Sequence, residues 1–186
     1  MLTAEVYEIA RRRATEYLDK AGIIVTDDEK GRIQVAEYNM NDINNIGLEL
    51  VVYVNTKRCC AKELVLFPGQ TCPEHRHPPI VGEPGKEETF RCRYGKVFLY
   101  VPDSRDAQQE SSGLRDEAPA GYEKYFTCSK KITLLPGEQY TIPPDTLHWF
   151  RSGPDGAVIS EFSTQSRDEF DVYTDPRISA SQARTV

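Results

Sequence analysis

The sequence lacks any long apolar segment. None of its 186 residues belongs to a run approaching the ~20 apolar residues that a membrane-spanning helix needs. The N-terminus shows no charged stretch followed by an apolar one, which a secretory signal would require. We therefore expect a cytoplasmic protein with no membrane partner.

Paired cysteines and excess positive charge are also lacking. The five cysteines are odd in number and show no CxxC spacing, which argues against a disulfide framework and against a zinc knuckle. Twenty-three Lys and Arg stand against 29 Asp and Glu, so the formal net charge is −6. This charge makes binding to a phosphate backbone unfavourable, and we expect no nucleic acid partner.

The patterns that are present predict an all-β protein behind one N-terminal helix. From residue 3 to 21, apolar residues including Val6, Ile9 and Tyr17 recur at three- and four-residue spacing, as in an amphipathic helix that Thr3 could cap. From Leu48 onward, Pro and Gly separate short β-rich runs: LELVVYV, KELVLF, TFRCRY, KVFLYV, KYFTC, KITLL, YTI and AVISEF. Many short strands without helical periods between them favour a sandwich or a barrel.

These patterns divide the chain into three segments. We predict an N-terminal helical extension over residues 1–47, a β domain over residues 48–178 and a polar tail over residues 179–186. The stretch from Pro102 to Gly121 is polar and poor in branched apolar residues. Such a composition is typical of an insertion between strands.

Histidine is scarce, and two of the three histidines are separated by a single residue, as His75 and His77. In an extended segment, residues i and i+2 point to the same face. The two imidazoles could therefore chelate one metal ion, although two ordinary surface histidines are the alternative interpretation.

Glu88 begins a segment in which it alternates with cationic residues and shares its face with Phe90 and Cys92. That face should be buried, and a buried carboxylate must be neutral, paired or bound to a metal. Glu83 and Glu87 lie in a stretch rich in turn residues, where we expect them to be exposed.

The third histidine, His148, follows a Pro-Pro turn and is in phase with Phe150. Three neutral imidazoles and one carboxylate would form a mixed nitrogen and oxygen ligand set. Such a set suits Mn, Fe, Co, Ni or Zn with positions open for substrate, whereas Mg and Ca prefer oxygen ligands.

These residues resemble both short motifs of the cupin superfamily of small β-barrels. The first motif is matched by Gly69, His75, His77, Glu88 and Gly95, and the second by Gly137, Pro143 and His148. The sequence departs from the usual motifs in the ten residues between His77 and Glu88, and in Asp145 where a Gly is common. The resemblance implies a cupin-type double-stranded β-helix, also called a jelly-roll barrel, with His75, His77, Glu88 and His148 as metal ligands.

Within the cupins, the chain from about Leu48 to Ile178 resembles the D-lyxose isomerase family. The likeness is carried by the N-terminal helix, ELVLFPGQTCPEHRHPP, the long loop of the first motif and EFSTQSRDEFDVYTDPRI. It implies a metal-dependent aldose–ketose isomerase, with Mn as the preferred ion. The reaction would interconvert D-lyxose and D-xylulose, or D-mannose and D-fructose.

Such a reaction needs a base that moves a proton between neighbouring carbons. Glu161 is the first candidate, because the resemblance places its carboxylate inside the barrel; strand alternation alone leaves its face open, since Val158 and Phe162 could equally mark the core side. Lys62 is in phase with Leu64 and could act as an electrophile or proton relay. Asp171 matches an acidic position of the family and could orient a hydroxyl or Lys62.

Three further residues are expected to contact the sugar: Lys86 and Glu74, which flank the metal ligands, and Arg167. Arg167 and Asp168 could instead form an ion pair within a turn.

Two rival functions use the same ligand set. One is a non-haem iron cupin dioxygenase, and the other is a sugar-binding cupin without catalysis. Exposed barrel edges and the N-terminal segment favour a homodimer.

Overall fold

A long antiparallel sheet follows two N-terminal helices in the computed structural model, which describes residues 2–103 and 117–178. The predicted tail and most of the polar stretch from Pro102 to Gly121 lie outside these residues. The elements are α1 (Ala4–Lys20), α2 (Asp27–Gly31), β1 (Gln34–Ala36), β2 (Leu48–Asn55), β3 (Cys60–Leu66), β4 (Thr71–Arg76), β5 (Glu88–Val101), β6 (Lys130–Leu134), β7 (Gln139–Ile142), β8 (His148–Ser163) and β9 (Val172–Tyr173). Within the described residues, no helix is long and apolar enough to cross a membrane.

The sheet curls into a barrel around its two longest strands, β5 and β8. The first half of β8 pairs with β4 and the second half with β3, while β5 pairs with β8 along both halves. β5 also pairs with β6 and β7, and β1 extends the opposite end of the sheet through β2. This curled, mostly antiparallel architecture confirms the predicted cupin-type barrel.

The close approach of β5 and β8 depends on glycine at the point where the register between the two strands shifts. Gly95 has φ of 70° and Gly156 has φ of 77°, conformations that side chains with a Cβ rarely adopt. A Cβ on Gly95 would lie 2.0 Å from the carbonyl oxygen of Gly156. The two strands stay paired on both sides of this shift. The same pair of strands therefore contributes to both halves of the barrel.

The helix α1 packs on the outside of the barrel, as predicted. The Thr3 side chain accepts a hydrogen bond from the Val6 backbone N–H and caps it. Ala14 and Tyr17 are buried in a cluster with Val65 and Val158 of the sheet. The buried stripe is narrower than the apolar pattern suggested, since Val6 is 37% exposed and Ile9 is 47% exposed.

Two strand predictions need correction. The runs TFRCRY and KVFLYV belong to one continuous strand, β5. The run KYFTC, residues 124–128, is not a strand, because a 3-10 turn (Glu123–Tyr125) occupies its start. At its end, the backbone N–H groups of Thr127 and Cys128 donate to the Glu74 side chain, so those groups are unavailable to a sheet.

Candidate metal centre and substrate cavity

The three histidines meet inside the barrel. His75 on β4 and His148 on β8 are direct partners across the two strands, and their ring centroids are 4.4 Å apart. The ring of His77, which follows β4, lies 4.9 Å from that of His75 and 5.4 Å from that of His148. One ring nitrogen from each histidine falls within 4.8 Å of the others, and all three residues are buried.

Hydrogen bonds at Nδ1 determine how these rings face one another. The Nδ1 atom lies 2.8 Å from the Pro73 carbonyl oxygen in His75, 2.9 Å from that of Thr146 in His148, and 2.5 Å from Asp171 Oδ1 in His77. Carbonyl and carboxylate oxygens only accept, so each Nδ1 carries the proton and donates. In its neutral form, each ring with the proton on Nδ1 has the lone pair of Nε2 available for a cation.

Glu88 completes the cluster. Its Oε1 atom lies 3.2 Å from Nε2 of His77 and 2.9 Å from Nε2 of His148. These three atoms are buried and have no hydrogen-bond partner within the described residues. Buried polar atoms are normally satisfied, and a cation among them would satisfy all three. The residues present therefore fit a metal ion, and their mixture of imidazole nitrogen and carboxylate oxygen suits a divalent transition metal.

The charges in the cluster also suit a cation. Burial lowers the pKa of His75 well below its usual range, with His148 and His77 adding to the effect. Burial raises the pKa of Glu88, but Lys86 and the histidines outweigh it and bring the pKa well below its usual range. Burial and Lys86 lower the pKa of His77, whereas Glu88 and Asp171 raise it more. A neutral His75 and an ionised Glu88 are the protonation states that ligands require.

A second carboxylate, Glu161, is linked to the cluster through one lysine. The Lys86 Nζ atom lies 2.7 Å from Glu88 Oε2 and 3.0 Å from Glu161 Oε1. Ser163 Oγ donates to the same Glu161 oxygen at 3.1 Å. Burial raises the pKa of Glu161, but Lys62 and Lys86 outweigh it, so the net shift is downward. Glu161 is therefore an ionised, buried carboxylate that can accept a proton.

Lys62 and Asp171 both line the cavity, and different side chains bind them. Lys62 is the strand partner of Glu161, and its Nζ atom lies 3.8 Å from Glu161 Oε1. Its ammonium donates to Ser166 Oγ at 2.8 Å and to Asp168 Oδ2 at 3.1 Å. Asp171 instead accepts from His77, so the acidic side chain that orients Lys62 is Asp168.

The cluster opens into a cavity of about 300 Å³. Its polar wall consists of Lys62, His75, His77, Lys86, Glu88, Glu161, Asp168, Glu169, Asp171 and Tyr173. Its apolar wall includes Ala36, Leu48, Leu50, Leu64, Phe90 and Phe150. Pockets with an apolar body and a few convergent polar groups are typical of small-molecule sites.

Two expected sugar contacts lie outside this cavity. Glu74 is buried, and its carboxylate accepts hydrogen bonds from Thr127 N, Thr127 Oγ1, Cys128 N and Thr174 Oγ1. It therefore joins two loops of the barrel instead of facing the sugar. Arg167 forms an ion pair with Glu83 at 2.9 Å, at smaller clefts beside the cavity.

Sequence reasoning also missed functional neighbours. Tyr173 stacks on His75, with ring centroids 5.5 Å apart, and Ser166 binds Lys62. Both residues follow β8 in a segment without apolar periodicity, so no local pattern marked them.

The curled barrel and the histidine–carboxylate cluster inside it define a cupin-type protein with a candidate metal centre. Residues 19–182 match the D-lyxose isomerase family. The chain is 56% identical over 175 residues to the D-lyxose/D-mannose isomerase of Thermosediminibacter oceani, a match that spans 94% of this chain and 93% of that protein. It is 54% identical over 169 residues to the D-lyxose ketol-isomerase of Cohnella laeviribosi, a match that spans 91% of this chain and 90% of that protein.

Among solved structures, the L-ribose isomerase of Acinetobacter sp. DL28 in complex with L-ribose is similar, with a TM-score of 0.78. That match covers 100% of this chain and 97% of the other at 14% identity, and it supports the fold. The chain belongs to the D-lyxose isomerase family, and the predicted sugar ketol-isomerase class is confirmed at the level of the family.

Proposed function

We propose that the protein is a metal-dependent aldose–ketose isomerase that interconverts D-lyxose and D-xylulose and also D-mannose and D-fructose. The names of the two relatives support both pairs of sugars. D-Lyxose and D-mannose have the same configuration from C2 to C4, so one site can hold either. The observation that carries the proposal is the placement of an ionised Glu161 beside a cluster that fits a metal ion, in one cavity.

His75, His77, Glu88 and His148 would hold the metal, for which Mn²⁺ is the first choice and Fe, Co, Ni or Zn the alternatives. A bound divalent ion would polarise the carbonyl and the neighbouring hydroxyl of an open-chain sugar. The unsatisfied Nε2 atoms of His77 and His148 and the facing Glu88 oxygen support this ligand set.

Glu161 would act as the base. It takes the proton from C2 of the aldose, the C2 electrons form a C1–C2 double bond, and O1 takes a proton from the Lys62 ammonium to give an enediol. Glu161 then returns its proton to C1, while O2 gives its proton to the neutral Lys62 and becomes the carbonyl of the ketose. Lys62 and Lys86 lie beside Glu161 and are charged donors that can hydrogen-bond to these oxygens. Asp171 would act through His77, and Glu74 would hold two loops of the barrel together.

The test is a panel of free sugars given to the metal-free protein reconstituted separately with Mn, Fe, Co, Ni and Zn. We expect interconversion within both sugar pairs and no consumption of oxygen with ferrous ion. Oxygen uptake without isomerisation would indicate a dioxygenase. Sugar binding without turnover under every metal would indicate a non-catalytic cupin.

A homodimer in the cytoplasm is part of the same proposal. The outer face of the barrel exposes apolar side chains, with Phe162 51% exposed and Val54 38% exposed. Light scattering on the purified protein should give twice the chain mass of 21.1 kDa. A monomer at micromolar concentration would contradict the dimer.

A further inference from the structure

Two carboxylates three residues apart hold different halves of the site. Asp168 begins a 3-10 turn (Asp168–Phe170), and Asp171 follows it. Asp171 contacts His77 of the histidine cluster, and Asp168 contacts Lys62 beside Glu161. The short segment after β8 therefore has a separate contact with the candidate metal centre and with the acid–base groups.

Lys62 lies close to two carboxylates, and its ammonium is attracted to both. Its ammonium is 3.1 Å from Asp168 Oδ2 and 3.8 Å from Glu161 Oε1. Lys62 and Glu161 are each about 4% exposed, so little water screens their attraction. Without Asp168, the long, flexible lysine chain would be drawn into direct contact with Glu161, whose Oε1 already binds Lys86 at 3.0 Å.

Ser166 and Asp168, which bind Lys62, are held in place by further hydrogen bonds. Ser166 Oγ donates to Asp168 Oδ1, and it also accepts from Lys62 at 2.8 Å. The Ser166 backbone is tied to β2, because its N–H donates to Asn55 Oδ1 at 3.1 Å and its carbonyl accepts from Asn55 Nδ2 at 2.9 Å. Lys62 is thus bound to two side chains that are themselves hydrogen-bonded to each other and, through Ser166, to β2.

We propose that Asp168 is a positioning residue that acts through Lys62. It holds the ammonium away from Glu161 and directed at the sugar oxygens, so that Glu161 is neutralised by one close lysine, Lys86, and stays available as the base. This inference rests on the proposed isomerase function. It assigns no substrate or metal contact to Asp168 itself.

The structural test is a crystal structure of Asp168→Asn. We expect Lys62 Nζ to move from 3.8 Å to about 3 Å from Glu161 Oε1, the distance of a charge-assisted hydrogen bond. An unmoved Lys62 would overturn the proposal, whatever the activity of the protein.

The kinetic test is a double-mutant cycle of Asp168→Asn and Lys62→Met. A small misplacement of a reacting group can cost up to about 100-fold in rate, and we expect kcat of Asp168→Asn to fall about 10- to 100-fold with metal content unchanged. If Asp168 acts through Lys62, the double variant is no slower than Lys62→Met alone. Effects that multiply would overturn the proposal.

Two comparisons keep the outcome interpretable. Asp171→Asn, at the residue that follows the same turn, should bind metal more weakly, whereas Asp168→Asn should bind it normally. If Asp168→Asn folds poorly, Ser166→Ala removes the hydroxyl that Lys62 and Asp168 share and should slow turnover in the same way. If the unchanged protein isomerises no sugar but Lys62 moves in Asp168→Asn, the proposed function fails while the anchoring of Lys62 by Asp168 stands.

Discussion

His77 and Asp171 are joined by a hydrogen bond of 2.5 Å between Nδ1 and Oδ1, across 94 residues of sequence. Both side chains are less than a tenth exposed. The bond holds the proton on Nδ1 and directs Nε2 towards Glu88 and His148. An aspartate outside the proposed ligand set therefore orients one of the proposed ligands.

Replacing Asp171 with Asn should weaken metal binding without removing it. Loss of a carboxylate that orients a histidine ligand typically costs 10- to 100-fold in metal affinity. Competition with a chromogenic chelator would measure the change. Glu87→Gln, which alters an exposed residue beside Glu88, is the control and should bind metal normally; equal affinities in the two variants would argue against this role of Asp171.

Replacing His148 with Ala should abolish stoichiometric metal binding and activity together. In the unchanged protein, a metal present at 100 times its dissociation constant stabilises the fold by about 2.7 kcal/mol, because it binds only the native state. EDTA should therefore lower the melting temperature of the unchanged protein and leave that of His148→Ala unaffected. If elemental analysis found full metal content in His148→Ala, His148 would not be a metal ligand.

Replacing Glu161 with Gln should leave metal and sugar binding in place and reduce kcat by about 10²- to 10⁴-fold, the usual cost of removing a general base. The amide has the shape of the carboxylate but cannot take a proton. In heavy water, the unchanged enzyme should also incorporate deuterium at the carbon that receives the proton. Isomerisation without deuterium incorporation would instead indicate a hydride shift.

Replacing Glu74 with Gln should destabilise the fold and leave the KM for sugar unchanged. The amide oxygen can still accept from the Thr127 and Cys128 N–H groups, but the NH₂ group faces the Thr127 and Thr174 hydroxyls, which must reverse and accept. The negative charge that strengthens all four hydrogen bonds is also lost. We expect a loss of roughly 2–3 kcal/mol in the free energy of unfolding, measured by urea denaturation. If Glu74→Gln instead raised the KM and left the free energy of unfolding unchanged, the result would support a contact between Glu74 and the sugar.

Glu49 should make stability depend on pH. It is fully buried between the barrel and α1, and burial raises its pKa from 4.5 to about 8, although a hydrogen bond from Gln70 and the charge of Arg13 oppose the shift. The folded state therefore holds a proton that the unfolded chain releases near 4.5. The stability from this group is complete below that pH and falls by roughly 1.4 kcal/mol per pH unit up to the folded pKa.

Glu49→Gln lacks this titration, so its advantage in the free energy of unfolding over the unchanged protein should grow from pH 5 to pH 8. Urea denaturation at several pH values measures that difference, from which other titrating groups cancel. A difference that stays constant with pH would show that Glu49 does not titrate in this range.

Local patterns were sufficient for the parts of the molecule that follow a period. The three- and four-residue spacing predicted α1, and the alternation around Glu88 predicted a buried carboxylate. The spacing of the motif residues predicted that the three histidines lie in one cluster. These features depend on which face of a helix or strand a residue occupies. The periodic spacing of apolar residues in the sequence indicates that face.

The contacts that the sequence did not predict join residues far apart along the chain. Glu74 lies between His75 and other strand residues, yet its side chain is bound by residues 53 and 100 positions away. Asp168 is separated from Lys62 by 106 residues. A sequence pattern contains no record of such pairings, because they arise only when the barrel closes.

The cavity wall includes Ala36 and Tyr38, which precede the first long strand of the barrel and supply none of the candidate ligands. Shortening the protein to a minimal barrel from Leu48 would open that wall and uncover the valines beneath α1. Exchanging the first 47 residues for those of a related barrel would in turn reshape the space around the substrate. The N-terminal segment is therefore a place where sugar preference can be changed without altering the proposed metal ligands or the proposed base.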